Sequence, residues 1–186
     1  MAETVYAALL FPERKAQIEK VFYREAKGKP RLRGVDFAAL ASQVSHASDD
    51  FIESVEWGRC GLVGFSVALC QLTSSLYFIT RIKKAFPNLP IVVGGSTFGG
   101  DALRGLLETF PEIDAVVNGE GELPMSQLIS HLMNSKSFDK MPPIPGVVTR
   151  KTMKDRTPAP FHQMASLSNL PAPDYDDYFH LLNTFS

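Results

Sequence analysis

Three times between Cys60 and Glu122 a short β-branched run ends in Gly, Ser or an acid, and apolar residues at helical spacing follow it. The runs are GLVGFSV from Gly61, IVVGG from Ile91 and IDAVVNGEGE from Ile113. Apolar strands alternating with helices are the pattern of a parallel sheet covered on both faces. The expected fold is therefore α/β: a Rossmann-like, doubly wound, mainly parallel sheet with flanking helices. In such folds ligands occupy the crevice at the carboxyl ends of the strands. Ser66, Gly94, Gly95, Gly119 and Gly121 all fall at or just past those ends, so they line one edge of the sheet.

The segments between the runs have clear helical stripes. Leu72, Leu76, Ile79, Ile82, Ala85 and Phe86 form the first, closed by Pro87 and Asn88. Asp101 is placed to cap a second, buried through Leu103, Leu106, Leu107 and Phe110. A third follows Pro124, through Met125, Leu128, Ile129, Leu132 and Met133. Upstream, Val35–Val44 reads as one helix, and Asp49 or Asp50 caps another through Phe51, Ile52 and Val55. TVYAALLF (4–11) is too short to separate strand from helix end; if it is not a strand, the usual central first strand is lacking. Past Lys140 a short strand is expected at Gly146–Thr149, and then a stretch rich in Pro, Asp and aromatics with no clear period. The expected division is a helix-rich segment over 1–55, a ligand-binding α/β domain over 56–150 and an extended linker over 151–186.

Composition removes several classes of function. A formal charge of −1 with no polybasic face gives no reason to invoke nucleic acid or an anionic membrane, and GKPRLRG (28–34) reads as a solvated turn. No apolar run approaches the ~20 residues of a membrane span, and no basic region precedes the N-terminal apolar stretch. Cys60 and Cys70 are the only cysteines; they suit a reducing cytoplasm and are expected to be small buried residues.

The candidate residues have more than one reading when taken singly. GGSTFGGD (94–101) matches neither the dinucleotide fingerprint nor the P-loop. Gly94 and Gly95 either admit a close ligand or make a tight turn with positive φ, and Ser96 offers a hydroxyl. The Ser66 hydroxyl meets a ligand or nearby backbone, and Gln71 faces the crevice or solvent. Glu120 and Glu122 lie at a helix start, where the dipole favours carboxylates. None of the four histidines has metal-ligand spacing, and Asp174, Asp176 and Asp177 lack the pattern of a calcium loop.

Together, VGFSV, Gln71, IVVGG, the Asp114-containing run ending in GEGE, and LSNLPAPDYDDYF (167–179) resemble one family in order and spacing. Over residues 56–180 the chain looks like the N-terminal cobalamin (B12)-binding domain of B12-dependent radical SAM enzymes. Those that methylate carbon in ribosomally made peptides are nearest. The resemblance implies that cobalamin lies over the strand C-termini with its nucleotide tail in the crevice. The implied cofactor-binding residues are Ser66, Val67, Gln71, Gly94, Gly95 and Ser96, with Gly119, Glu120 and Gly121 as a further wall. No catalytic or metal-ligating residue is expected. The Asp-x-His-x-x-Gly cobalt ligand of classical cobalamin domains is absent, as it commonly is from the radical SAM relatives, and two cysteines cannot build a [4Fe–4S] site, so this chain is not expected to cleave S-adenosylmethionine. The implied parent is a radical SAM methyltransferase whose cluster domain follows in cis. A nucleotide- or flavin-binding α/β enzyme and a ligand-free interaction or sensor domain are the alternatives. If a tail fills the crevice, Gly95→Val is expected to close it and leave the fold intact.

Overall fold

The computed structural model describes residues 2–97, 101–135, 137–138, 140–154, 161–166, 168 and 170–185. Helices α1 (Ala2–Leu10), α2 (Lys15–Ala26) and α3 (Phe37–Ser54) come first. Strands and helices then alternate: β1 (Val63–Ser66), α4 (Leu72–Ala85), β2 (Ile91–Gly94), α5 (Asp101–Thr109) and β3 (Ala115–Val117). Helix α6 (Glu122–Ser135), β4 (Val147–Thr149), α7 (Arg150–Lys154) and α8 (Asp176–Phe185) complete the order. The sheet runs β1-β2-β3-β4, with β1, β2 and β3 parallel and β4 antiparallel to β3.

Successive residues of a strand face opposite sides, and this alternation builds two cores. Ile91, Val93, Val116 and Val148 pack on one face with Leu76, Ile79 and Ile82 of α4 and Leu103, Leu106 and Leu107 of α5. Val92, Ala115, Val117 and Val147 pack on the other with Leu128 and Leu132 of α6. Helices thus cover both faces of a mostly parallel sheet, the Rossmann-like α/β arrangement. Among the described residues, no helix is long and apolar enough to cross a membrane.

The N-terminal third departs from several expectations. Of the two readings left open for TVYAALLF the helix holds, through Leu10, because Val5 and Ala8 meet Phe22, Phe37 and Ala41 in a small core of their own. One helix, Phe37–Ser54, stands where two were expected: Asp36 caps it, accepting from the amides of Ala38 (2.8 Å) and Ala39 (3.0 Å). Asp49 lies inside that helix and pairs with Arg81 of α4. Helix α1 docks on α4 through Glu3, whose carboxylate accepts the Thr73 N–H (3.0 Å) and whose carbonyl accepts the Thr73 hydroxyl (2.9 Å). These bonds satisfy donors that the first turn of α4 would otherwise leave free. With no strand from residues 4–11, β1 is an edge of the sheet among the described residues.

Other differences are smaller. On α6, Ile129 and Met133 are exposed, so the buried stripe is narrower than expected. Cys60 is half-buried and Cys70 exposed. The stretch 151–186 contains helices α7 and α8 where an extended linker was expected. The Asp101 side chain and residues 98–100, 155–160, 167 and 169 of the sequence motifs lie outside what is described.

A mostly buried ion pair ties the amino ends of the strands. Lys83 Nζ donates to Asp114 Oδ2 (2.7 Å) and to the Leu89 carbonyl (2.8 Å), and the same carboxylate oxygen accepts the Ile91 N–H (2.8 Å). Asp114→Ala leaves a cation and an amide without their partner, and is expected to lower stability by about 3 kcal/mol. Urea unfolding measures this, and a loss below about 1 kcal/mol would contradict the assignment of Asp114 as a clamp.

Candidate functional site

The site follows from the sequence of β1. Val63, Phe65 and Val67 turn toward α4 and α5, where Val67 is fully buried. Gly64 and Ser66 therefore turn to the face that carries α6. Register places Gly64 beside Val92 and Ser66 beside Gly94. The result is a groove of about 440 Å³ on the α6 side, with Gly64, Ser66, Val92 and Gly94 as its floor. Val117, Gly119 and Gly121, with Met125 of α6, form the opposite wall. This volume lies within the range of small-molecule sites. The Ser66 hydroxyl is exposed there and has no hydrogen-bond partner among the described residues.

The glycines divide into two kinds. A Cβ on Gly64 would meet nothing within 4 Å, so the missing side chain leaves open space. Added at Gly94 or Gly121, it would make only ordinary contacts, 3.6 Å to Val117 and 3.8 Å to Met125 respectively. Gly95 and Gly119 differ, with φ of +109° and +103°. At Gly95 a Cβ would stand 2.7 Å from the Val67 nitrogen, and at Gly119 2.9 Å from the His162 nitrogen. Both positions need glycine for the chain itself. The expectation that Gly95→Val spares the fold is therefore corrected: it drives a side chain into the β1 backbone.

The remaining sequence-predicted residues have partners of their own. Val67 is buried, its N–H donating to Gly94 O (2.7 Å) and its carbonyl accepting from the Thr97 hydroxyl (2.9 Å). Gln71 turns back on its own loop, where Oε1 accepts the Ala68 N–H (3.1 Å). Ser96 is exposed on the turn after β2 and is not among the groove-lining residues. Glu120 accepts the Met164 N–H, while Glu122 is exposed in the first turn of α6. The structure thus gathers Ser66, Gly94, Gly95, Gly119 and Gly121 at one groove, and leaves the side chains of Val67, Gln71, Ser96 and Glu120 outside its lining.

Sequence reasoning missed five parts of this groove: Gly64, Phe65, Val92, Val117 and Met125. The signal for Gly64 was available, since it lies two residues before Ser66 on a strand and so shares its face. It also missed a strap after β4. His162 forms a parallel bridge with Gly119, accepting the Glu120 N–H (2.9 Å) and donating to Asn118 O (3.1 Å). These bonds, with the Glu120–Met164 contact, fasten residues 161–164 behind the glycine wall. Among the described residues no group of acids, histidines and cysteines is arranged to hold a metal ion.

The B12 binding domain family matches residues 28–129, just over half of the chain. A UPF0313 protein of Methanosarcina acetivorans is 31% identical over 91 residues, which cover 44% of this chain and 12% of that protein. The anaerobic magnesium-protoporphyrin IX monomethyl ester cyclase of Synechocystis sp. is 32% identical over 108 residues, 57% of this chain and 20% of that protein. The chain therefore spans a fifth or less of the length of these curated relatives.

The two kinds of glycine have separable consequences. Gly95→Ala and Gly119→Ala are each expected to cost about 2–3 kcal/mol through positive φ and backbone crowding. Gly64→Ala is expected to stay within about 0.5 kcal/mol of the parent, as for a surface substitution with room around it. Thermal unfolding of the three variants checks this, and equal losses at all three positions would contradict the division.

Proposed function

The chain belongs to the B12-binding domain family, and from that premise we propose that its groove receives the nucleotide tail of a cobalamin, with the corrin ring at the carboxyl ends of β1, β2 and β3. One observation carries this reading. Gly64, Ser66, Gly94 and Gly121 lack bulk on one face of adjacent elements, and Gly64 opens onto empty space. Apolar Val92, Val117 and Met125 suit the flat body of a base, and the unpartnered Ser66 hydroxyl suits a polar atom of the tail.

When bound, cobalamin supplies a cobalt centre able to carry a methyl group. This chain's own residues grip, orient and exclude water. Gly94, lying in the floor, admits close approach, and Gly95 and Gly119 hold the turns that shape the two walls. Gln71 and Ser96 stand on the turns after β1 and β2, from which they reach the corrin rim. Val67 contributes by fixing the backbone at the β1 end, and Glu120 by anchoring the strap behind the glycine wall. The parent is a cytoplasmic radical SAM enzyme, a methyltransferase, whose further domain in cis holds the [4Fe–4S] cluster and S-adenosylmethionine. The much greater length of the relatives supports reading this chain as one module of a larger protein.

Hydroxocobalamin added to the full chain and followed by desalting tests the proposal through the retained corrin absorbance. Gly64→Leu is expected to abolish retention while the far-UV circular dichroism and melting temperature stay those of the parent. Ser66→Ala is expected to weaken binding by about 1 kcal/mol, roughly fivefold, as for one neutral hydrogen bond. Undiminished retention in Gly64→Leu would contradict the groove as the tail site.

A further inference from the structure

The groove changes in polarity along its length, and the strand register shows how. Gly64, Val92 and Ala115 stand side by side in one row across the α6-side face of the sheet. Two residues nearer the carboxyl ends, on the same face, come Ser66, Gly94 and Val117. A Cβ on Gly94 would lie 3.7 Å from that of Val117, so this second row is also continuous. Past both rows, at the mouth, Gly119 and Gly121 carry backbone N–H groups without partners among the described residues. In the other direction the face of β1 runs on to Leu62, half-buried beside the core that holds Val92. From mouth to inner end the lining therefore passes from free amides, through one hydroxyl, to hydrocarbon alone.

Side chains do not offset this trend. Ser66 has the only hydroxyl, amide or charged side chain among the lining residues. The wall above it is apolar as well: a Cβ on Gly121 would meet Met125 Cγ at 3.8 Å and Val117 Cγ1 at 3.9 Å.

The nucleotide tail of a corrinoid presents its groups in a matching order, with phosphate and ribose nearer the ring and the base last. Corrinoids differ in that base. A benzimidazole released from cobalt has one free ring nitrogen and an otherwise hydrocarbon edge, and a phenol joined through its oxygen has a hydrocarbon edge alone. A purine such as adenine adds an amino group and further ring nitrogens. Over the row of Gly64 and Val92 those groups would lose water and find no side-chain partner. Leaving a polar group without its hydrogen bond costs more than making one gains, so such a lining discriminates by polarity. We propose that this groove selects corrinoids by the base of the tail, accepting benzimidazole and phenolic bases and discriminating against purines. The proposal rests on the reading of the groove as the tail site.

Equilibrium dialysis of the full chain against four corrinoids tests it: cobalamin, its p-cresolyl and adeninyl analogues, and cobinamide. Cobalamin and the p-cresolyl form are expected to bind within about fivefold of each other, and the adeninyl form about tenfold or more weaker than either. Adenine leaves cobalt more readily than dimethylbenzimidazole, so release from the metal opposes this order and does not produce it. Val92→Thr and Met125→Gln each add a polar group to the lining, and each is expected to narrow the gap between p-cresolyl and adeninyl forms by about threefold or more. Met125→Leu, which adds none, is expected to leave it unchanged. Equal or tighter binding of the adeninyl form, with cobinamide still weak, would overturn base selection and leave the tail site standing. Equal affinity for all four would overturn both. A gap that persists in both polar variants would also overturn the proposal, because the lining would then not be its source.

Discussion

The two-residue period of β1 and β2 governs the shape of this molecule. On one face the period presents Val63, Phe65, Val67, Ile91 and Val93, which α4 and α5 cover to form the larger core. On the other it presents Gly64, Ser66, Val92 and Gly94, and over β1 nothing of comparable bulk replaces them. One strand thus supplies both adhesion and vacancy. The vacancy persists because the opposite face is well packed: the apolar burial that holds β1 does not depend on side chains at Gly64 or Ser66.

The supports of the groove lie at a distance from its floor. At the amino ends of the strands, Asp114 joins Lys83 to the first amide of β2, fixing the spacing between neighbouring strands. At the carboxyl ends, positive-φ turns at Gly95 and Gly119 bring backbone against backbone, the first against Val67 and the second against His162. The strap that includes His162 consequently backs a wall of the groove while leading toward α8. Helix α8 exposes Tyr178, Phe179, Leu181 and Leu182. Helix α1 reinforces the opposite side by satisfying the first turn of α4 through Glu3.

The strand–helix alternation was legible because apolar runs, breakers and stripes all pointed the same way, as at Ile91–Gly94 and Leu103–Leu107. Gly95 shows where legibility stopped. Its sequence position suits both a ligand cleft and a strained turn, and only the approach of Val67 separates them. Gln71 and Glu120 had polar ends that suited a ligand, but local backbone donors at Ala68 and Met164 reached them. The strap was illegible for a different reason. Its pairing joins His162 to Gly119 across a long separation in sequence, and a single bridged residue leaves no periodic signature. TVYAALLF was ambiguous because strand and helix share such short apolar runs; its contacts with α2 and α3 decided the matter.

The central claim is that the small-residue face of β1 and β2 grips a ligand by its appendage. The most direct measurement compares the affinity of the full chain for cobalamin with that for cobinamide, the same corrin without its nucleotide. A groove that receives the tail predicts cobinamide binding weaker by about tenfold or more. Equal affinities would contradict the account, placing the recognition in the corrin alone and leaving the groove without its occupant.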